Sequence, residues 1–366
     1  MSSKAKNFIS GFSMKQIVFS LITILSLAAF IVLTIWSNDL VAGLPDQQAA
    51  ARWDEEGKSA QVSCFLSENA VLDEFMIVSF EKQLEQQLKE VLPAQEYSEE
   101  NEKRLIVDAY SSQGQITVVS EKGTLDAAAV GVGGDFFYFH PLTLVSGRYL
   151  SGDDLMKDYI ILDEEAAWQL FGSSDIAGQS VMIGGIPHYV SGVVKRQTGR
   201  FAEKAGLDKT VVYLSNESLA AYGKGGNINT YEVLAPNPVK RFVYTAVKEK
   251  LGIEEGNMEV VENSSRYSLE SLIPVVLEFG TRSMQNAAIK FPYWENIGRG
   301  AEDVKALALL FQGLFLFLPA VIISVFLIIK WKNRKFTWRD VGNYLVDTKE
   351  KLWQNAKDKK NKWKHF

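Results

Sequence analysis

The sequence predicts an α+β fold held between two membrane-spanning helices, on three observations. Two uninterrupted apolar runs flank a polar middle, charge is divided unequally among the segments they define, and the middle mixes short strand-like runs with a few amphipathic helices. The first run, 16–36 (QIVFSLITILSLAAFIVLTIW), and the second, 306–329 (ALALLFQGLFLFLPAVIISVFLII), contain no charged residue. A hydrocarbon core about 30 Å thick takes roughly 20 helical residues at about 1.5 Å each, so either run suffices to span. The first run exceeds the roughly 7–15 apolar residues of a secretory signal. The SNDLVAGLP that follows offers a poor small-residue cleavage site, so an uncleaved anchor is expected.

Charge sets the expected orientation. Residues 1–15 carry Lys4, Lys6 and Lys15 and no acid, and residues 330–366 carry twelve Lys or Arg against Asp340, Asp347, Glu350 and Asp358. Between the two runs lie 24 basic and 40 acidic side chains. Basic flanks stay in the cytoplasm, which places both termini inside and exports residues 37–305. The tail 330–366 alternates Trp, Leu and Val with lysines, the pattern of a basic amphipathic helix on anionic lipid. The neighbouring span favours lipid over nucleic acid as its partner.

Within the exported segment, AQVSCFLS (60–67) reads as a strand and AVLDEFMIVSFEKQLEQQLKEVL (70–92) as an amphipathic helix ending at Pro93. Val71, Phe75, Val78, Leu84 and Leu88 mark its expected apolar face. A strand follows at 104–110. The pattern returns as strand 230–236, helix 238–252 opened by Pro238 and closed by Gly252, and strand 257–263. These are two βαβ-like units. Between them, about 113–215, QITVVS, YIILD, SVMIGG, HYVSGVVKR and TVVYLS alternate with turn residues, a β-rich insertion with one short helix at 164–172. Residues 266–305 read as a helical stalk interrupted near Pro292, and 37–58 as a second stiff link. Phe291, Tyr293 and Trp294 suit either the membrane surface or packing against the domain.

Few residues offer chemistry. The single Cys64 permits no internal disulfide and sits in an apolar strand as a small hydrophobe. His140, His188 and His365 are scattered, with no metal-ligand spacing. The GVGGD at 131–135 lacks the GK[ST] of a phosphate loop and reads as a turn, and Glu164 and Glu165 suit a helix amino-terminus. No catalytic, cofactor-binding or metal-binding residue is expected, and hence no enzyme.

The insertion carries the most specific pattern. Asp135-Phe136-Phe137 comes first, then Leu144, Gly147-Arg148-Tyr149-Leu150 and Asp153. Ile160-Ile161-Leu162-Asp163 leads to Leu170-Phe171-Gly172. Ile176-Ala177-Gly178-Gln179 leads to Tyr189-Val190 and Gly192-Val193-Val194. This ordered series resembles the MacB-like periplasmic core domain of type VII ABC-transporter permeases, a group that includes FtsX-like and lipoprotein-releasing proteins. The resemblance implies a porter-like α/β domain carrying the β-rich subdomain. In it Gly147, Gly172, Gly178 and Gly192 serve turns, Phe137, Phe171 and Val193 fill the core, and Arg148 bonds a carboxylate or a strand carbonyl. In that family three further spans follow the exported domain, whereas one run follows here, so the three-helix permease half is expected to be lacking. The resemblance implies a non-catalytic membrane component of an ABC-type export or mechanotransmission complex, with a separate ATP-binding subunit and a multi-span permease as partners. Two other readings fit two spans around an α/β domain. One is an oligomeric scaffold resembling polysaccharide chain-length regulators; the other is an activator or sensor of a cell-wall hydrolase.

Overall fold

A computed structural model describes residues 14–93, 104–152, 154–282, 289–333, 346–351 and 353. Its contacts divide the chain into two units, one of residues 1–34 with 311–366, the other of residues 35–310.

Helix α1 spans Met14–Ala42. Two short helices follow, Pro45–Gln47 and α2, Ala49–Trp53. Three elements make the first βαβ unit: β1 (Ser59–Leu66), α3 (Glu74–Val91) and β2 (Val107–Val119). The β-rich part holds β3 (Thr124–Gly134), α4 (Phe136–Phe139), β4 (Leu144–Gly147), β5 (Tyr159–Asp163), α5 (Glu164–Phe171), β6 (Ser180–Ile183), β7 (Ile186–Val194), β8 (Val211–Ser215), α6 (Asn216–Tyr222) and β9 (Lys224–Gly225). The second unit is β10 (Thr230–Pro236), α7 (Phe242–Lys250) and β11 (Met258–Glu262). Helices α8 (Leu269–Leu277) and α9 (Tyr293–Lys332) complete the order.

The two βαβ units interlock rather than stand side by side. The strand order is β11-β1-β10-β2, every neighbour antiparallel, so β10 of the second unit separates β1 from β2 of the first. This is the split βαβ arrangement. Helices α3 and α7 cover it through Ile77, Phe80, Leu84 and Leu88 on one and Val243, Ala246 and Val247 on the other.

The insertion is part of the same sheet. Strand β2 continues past its pairing with β10, and from β2 the pairings run to β3, β8, β5, β7 and β6, then back to β2. Six strands therefore close a ring, which removes their free edges. Its interior is filled by Ile116, Val118, Ile160, Leu162, Val181, Ile183, Val190, Val193, Val212 and Leu214, spaced two apart along most strands, with Ala166, Ala167 and Leu170 of α5 packed against them.

Two motif glycines let β4 approach β7, and Gly192 lies inside β7 rather than at a turn as the sequence suggests, because the β4 backbone passes where its Cβ would project. Gly147 has φ +77°, and a Cβ there would stand 2.1 Å from the Ser191 carbonyl oxygen. At Gly192 it would stand 2.7 Å from the Arg148 carbonyl oxygen. Arg148 itself donates to both Asp154 oxygens at 3.0 and 3.1 Å and to the Tyr149 carbonyl at 3.0 Å.

Several boundaries differ from the sequence reading. Helix α3 begins at Glu74, capped by Asp73, whose side chain accepts from the Met76 amide. Its packed stripe is 77, 80, 84 and 88, so Val71, Phe75 and Val78 face solvent instead of forming the core face. Both stripes have helical spacing, and only the neighbouring sheet selects between them. Pro238 lies in the turn before α7, where Asn237 Oδ1 accepts from the Phe242 amide at 2.9 Å. GVGGD is the end of β3 up to Gly134, not a turn throughout, because Tyr110 and Ser112 lie where Cβ atoms of Gly133 and Gly131 would project. The segment 37–58 is not one stiff link: α1 stops at Ala42, and Gly43 and Pro45 open a series of short turns. Most of the basic tail 330–366, with His365, lies outside the described residues, which include 346–351 in helical conformation.

In the first unit, α1 and the later part of α9 are long and apolar enough to cross a membrane. Apolar side chains such as Leu21, Ile24, Val32, Phe317 and Ile328 are exposed on them. Pro319 has no amide hydrogen, so the Phe315 carbonyl loses its ordinary helical donor. Ser26 Oγ supplies one, donating to Phe315 O at 2.7 Å, and Gln312 Nε2 donates to Thr34 Oγ1 at 3.3 Å. We expect Ser26→Ala to weaken the helix pair by about 1 kcal/mol. Pro319→Ala should make Ser26 dispensable, because the helix then satisfies its own carbonyl. A double-mutant cycle on thermal stability in detergent tests this; additive effects would dissociate the two residues.

Candidate functional site

A row of charged and polar side chains is buried where the chain must be apolar to fold. Strand β10 reads TYEVLAP, and Glu232 in its centre is 2% exposed. Burying a carboxylate is expensive unless it is paired and hydrogen-bonded. His140, which follows α4, meets it: Nε2 bonds Glu232 Oε2, and Nδ1 lies 2.9 Å from Asp46 Oδ1. Ser63 on β1 donates to Glu232 Oε1 at 2.6 Å and accepts from Asn263 Nδ2 at 2.7 Å.

From Asn263 the network reaches α9. Arg266, 4% exposed, donates to Asn263 Oδ1 at 3.2 Å and grips Glu295 through two parallel bonds of 2.7 and 2.8 Å. Its Nε donates to Glu302 at 2.5 Å. Glu295 also accepts from Arg299, which pairs with Glu259 of β11, and Glu302 pairs with Arg282. The first turns of α9 thus carry Glu295, Arg299 and Glu302 one turn apart along one face, and the sheet supplies the partners.

Aromatic rings surround the junction. Trp294 is 2% exposed, with its ring centroid 4.3 Å from that of His140 and 5.6 Å from that of Phe136. Tyr293 and Tyr213 of β8 share a hydrogen bond of 3.0 Å. Trp294 and Tyr293 therefore pack against the domain. Phe136 and Phe137 of the sequence motif lie in the same cluster as Trp294, so the motif seats the base of α9 as well as its own subdomain. The segment after α1 is bound from the other side: Gln61 of β1 donates to the Asp46 carbonyl at 2.7 Å and accepts from the Ala49 amide at 2.8 Å, and Gln47 donates to the Trp294 carbonyl at 3.2 Å.

The electrostatics follow from burial. Burial alone would push the His140 imidazolium toward its neutral form, but the Glu232 charge, with the hydrogen bonds from Asp46 and Glu232, outweighs it and lifts the pKa to about 9. His140 is therefore a cation between two carboxylates at neutral pH. Burial likewise opposes the Arg266 charge, and Glu295 more than restores it. With His140, Glu232, Arg266, Glu295 and Glu302 between 0% and 7% exposed, the arrangement excludes a substrate and can act as a stiff joint. It fastens the chain leaving α1 and the start of α9 to β1, β10 and β11.

Sequence reasoning treated His140 as isolated because its partners lie 94 and 92 residues away. The available signal was charge out of place, with Glu232 inside an apolar strand and Glu295 beside two aromatics. Other singled-out residues have local roles. Cys64 is fully buried, and burial pushes its thiol up to about 12. His188 is buried against Ser218, 3.2 Å away. Glu164 and Glu165 open α5 behind the Asp163 cap, whose other oxygen accepts from Arg196 at 2.6 Å.

The MacB-like periplasmic core domain model matches residues 17–254. The macrolide export ATP-binding/permease protein MacB of Chromobacterium violaceum is 32% identical over 79 residues, 21% of this chain and 12% of that protein. The protein of the same name from Pasteurella multocida is 27% identical over 156 residues, 41% of this chain and 23% of that protein. The chain therefore spans less than a quarter of those relatives' length. The periplasmic region of MacB from Actinobacillus actinomycetemcomitans aligns at 17% identity and a TM-score of 0.41, covering 60% of this chain and 94% of that one. Because the family model covers more than half of the sequence, and two helices are apolar and long enough to cross a bilayer, the chain belongs to the MacB-like periplasmic core domain family and is a membrane protein with an extracytoplasmic domain.

Proposed function

We propose that this chain is a permease-like or accessory component of an ABC-type export or mechanotransmission complex, and that it performs no catalysis itself. ATP hydrolysis would fall to a separate subunit, and a multi-span permease would complete the path. The observation that supports this reading is the buried junction: Arg266, Glu295, Glu302, His140 and Glu232 join the first turns of α9 to three strands of the family domain. Movement of α9 along its axis would have to move the sheet with it, because breaking the joint exposes unpaired charge. In this reading both termini are cytoplasmic, as the positive flanks require, and the basic tail docks on anionic lipid or on the cytoplasmic partner.

A gentle-detergent pull-down of the full-length protein, read by mass spectrometry, tests it. Recovery of an ATP-binding subunit with a multi-span permease is the expected result. Recovery of a large homo-oligomer alone would sink the reading in favour of a self-assembling scaffold, and an exported hydrolase without an ATPase would favour an activator.

A further inference from the structure

Helix α8 carries a stripe of apolar side chains that stays exposed among the described residues. Leu272 and Val275 are buried against Ala306, with Val276 and Leu309 partly buried beside them. Leu269, Ile273, Leu277 and the following Phe279 are 62%, 49%, 80% and 40% exposed. At 3.6 residues per turn, Leu269, Ile273 and Leu277 form a stripe next to the packed one, while Glu270, Ser271 and Glu278 occupy the remaining sector. The helix thus has three sectors: one against protein, one bare and apolar, and one polar.

The height of α8 identifies what covers the bare sector. The second apolar run begins at Ala306 and the first ends at Trp36. Lys305 Nζ donates to Asn38 Oδ1 at 3.1 Å, so the polar residues just outside the two runs stand at one level. Helix α8 packs on Ala306 and on Leu309, about 4.5 Å farther along α9. It therefore lies beside the first turn of the apolar run, where headgroups meet acyl chains. A helix with an apolar stripe and a separate polar sector suits that boundary, with the stripe about 5–10 Å deep. Four side chains cannot supply the about 800 Å² per partner that a stable protein interface buries. Charge does not favour an anionic surface either: Glu270 is already paired with Lys240, and Arg282 is held by Glu302 and Asp303.

We infer that α8 is an interfacial helix which lays Leu269, Ile273, Leu277 and Phe279 on the outer leaflet, through apolar contact rather than attraction to anionic lipid. It braces α9 at the point where that helix leaves the bilayer. The inference rests on the two apolar helices spanning the membrane, and stands apart from any role in an ABC-type complex.

The buried Cys64 leaves an introduced thiol as the site of labelling. The full chain carrying Ile273→Cys or Leu277→Cys, labelled with an environment-sensitive fluorophore, would be placed in phosphatidylcholine vesicles. Some vesicles would carry a lipid nitroxide near the headgroup. Leu155→Cys, at a side chain 98% exposed, is the aqueous control, and Leu25→Cys in the first run reports insertion itself. The expected result is that positions 273 and 277 are quenched by the lipid nitroxide and shielded from aqueous iodide, with or without anionic lipid. With Leu25→Cys shielded from iodide, two outcomes would overturn the inference. Labels behaving like the one at 155 would place α8 in water, and labels shielded from both quenchers would place protein over it.

Discussion

Replacing Arg266 with alanine is expected to destabilise residues 35–310 by about 3–5 kcal/mol, the cost of removing the most buried cation from a network of buried carboxylates. The guanidinium makes two bonds to Glu295, one to Glu302 and one to Asn263, and it is 4% exposed. Its removal leaves Glu295 with Arg299 alone and Glu302 with Arg282 alone, among Trp294, Tyr267 and the end of the sheet. In a unit of this size that loss lowers the melting midpoint by roughly 10 °C. Arg266→Lys should recover only part of it, since a single ammonium cannot reproduce the forked contact. Thermal unfolding of the detergent-solubilised full chain, followed by tryptophan fluorescence, makes the comparison. A loss under about 1 kcal/mol, the ordinary value of an exposed pair, would mean that the joint is not stiff.

His140 makes stability depend on pH, with a definite sign. Its folded-state pKa of about 9 lies above the ordinary 6.5, so the fold binds the proton more tightly than the unfolded chain does. The contribution is fully present below pH 6.5 and is lost as pH rises through 9, in total on the order of 3 kcal/mol. Burial and the Glu81 charge push Asp108 up to about 7, so its loss of stability falls mainly below that pH. The window from 7 to 9 is therefore left largely to His140. Chemical denaturation across that window should show stability falling by about 1.4 kcal/mol per pH unit at most. His140→Gln should lower stability at pH 6.5 and flatten the slope above pH 7. An unchanged slope in that variant would assign the titration elsewhere.

Much of the local structure was legible in the residues, because its causes are local. The runs 16–36 and 306–329 need no partner to declare themselves, since a helix satisfies its own backbone and presents only apolar surface. Strands such as TYEVLAP and YIILD are written in β-branched and apolar residues, and the glycine turns at 147 and 172 in a backbone geometry that excludes a Cβ. Where two patterns competed, the sequence had no means to choose. Of the expected face Val71, Phe75, Val78, Leu84 and Leu88, the sheet buries Leu84 and Leu88 but takes Ile77 and Phe80 in place of the others, and Val71 precedes the helix.

What the sequence determined by itself was therefore the inventory: two apolar helices, two βαβ-like units, a β-rich insertion, the family motif and the unequal charge. Strand order was decided by tertiary structure, because β1 and β10 are paired across more than 160 residues and nothing in either names its neighbour. The closure of the insertion into a six-stranded ring depends equally on distant pairings, β2 with β6 and β3 with β8. The buried junction is the extreme case. Asp46, His140, Glu232, Arg266 and Glu295 are ordinary surface residue types in sequence, and they become a site only when burial removes water and leaves each charge to find its counter-charge inside the fold.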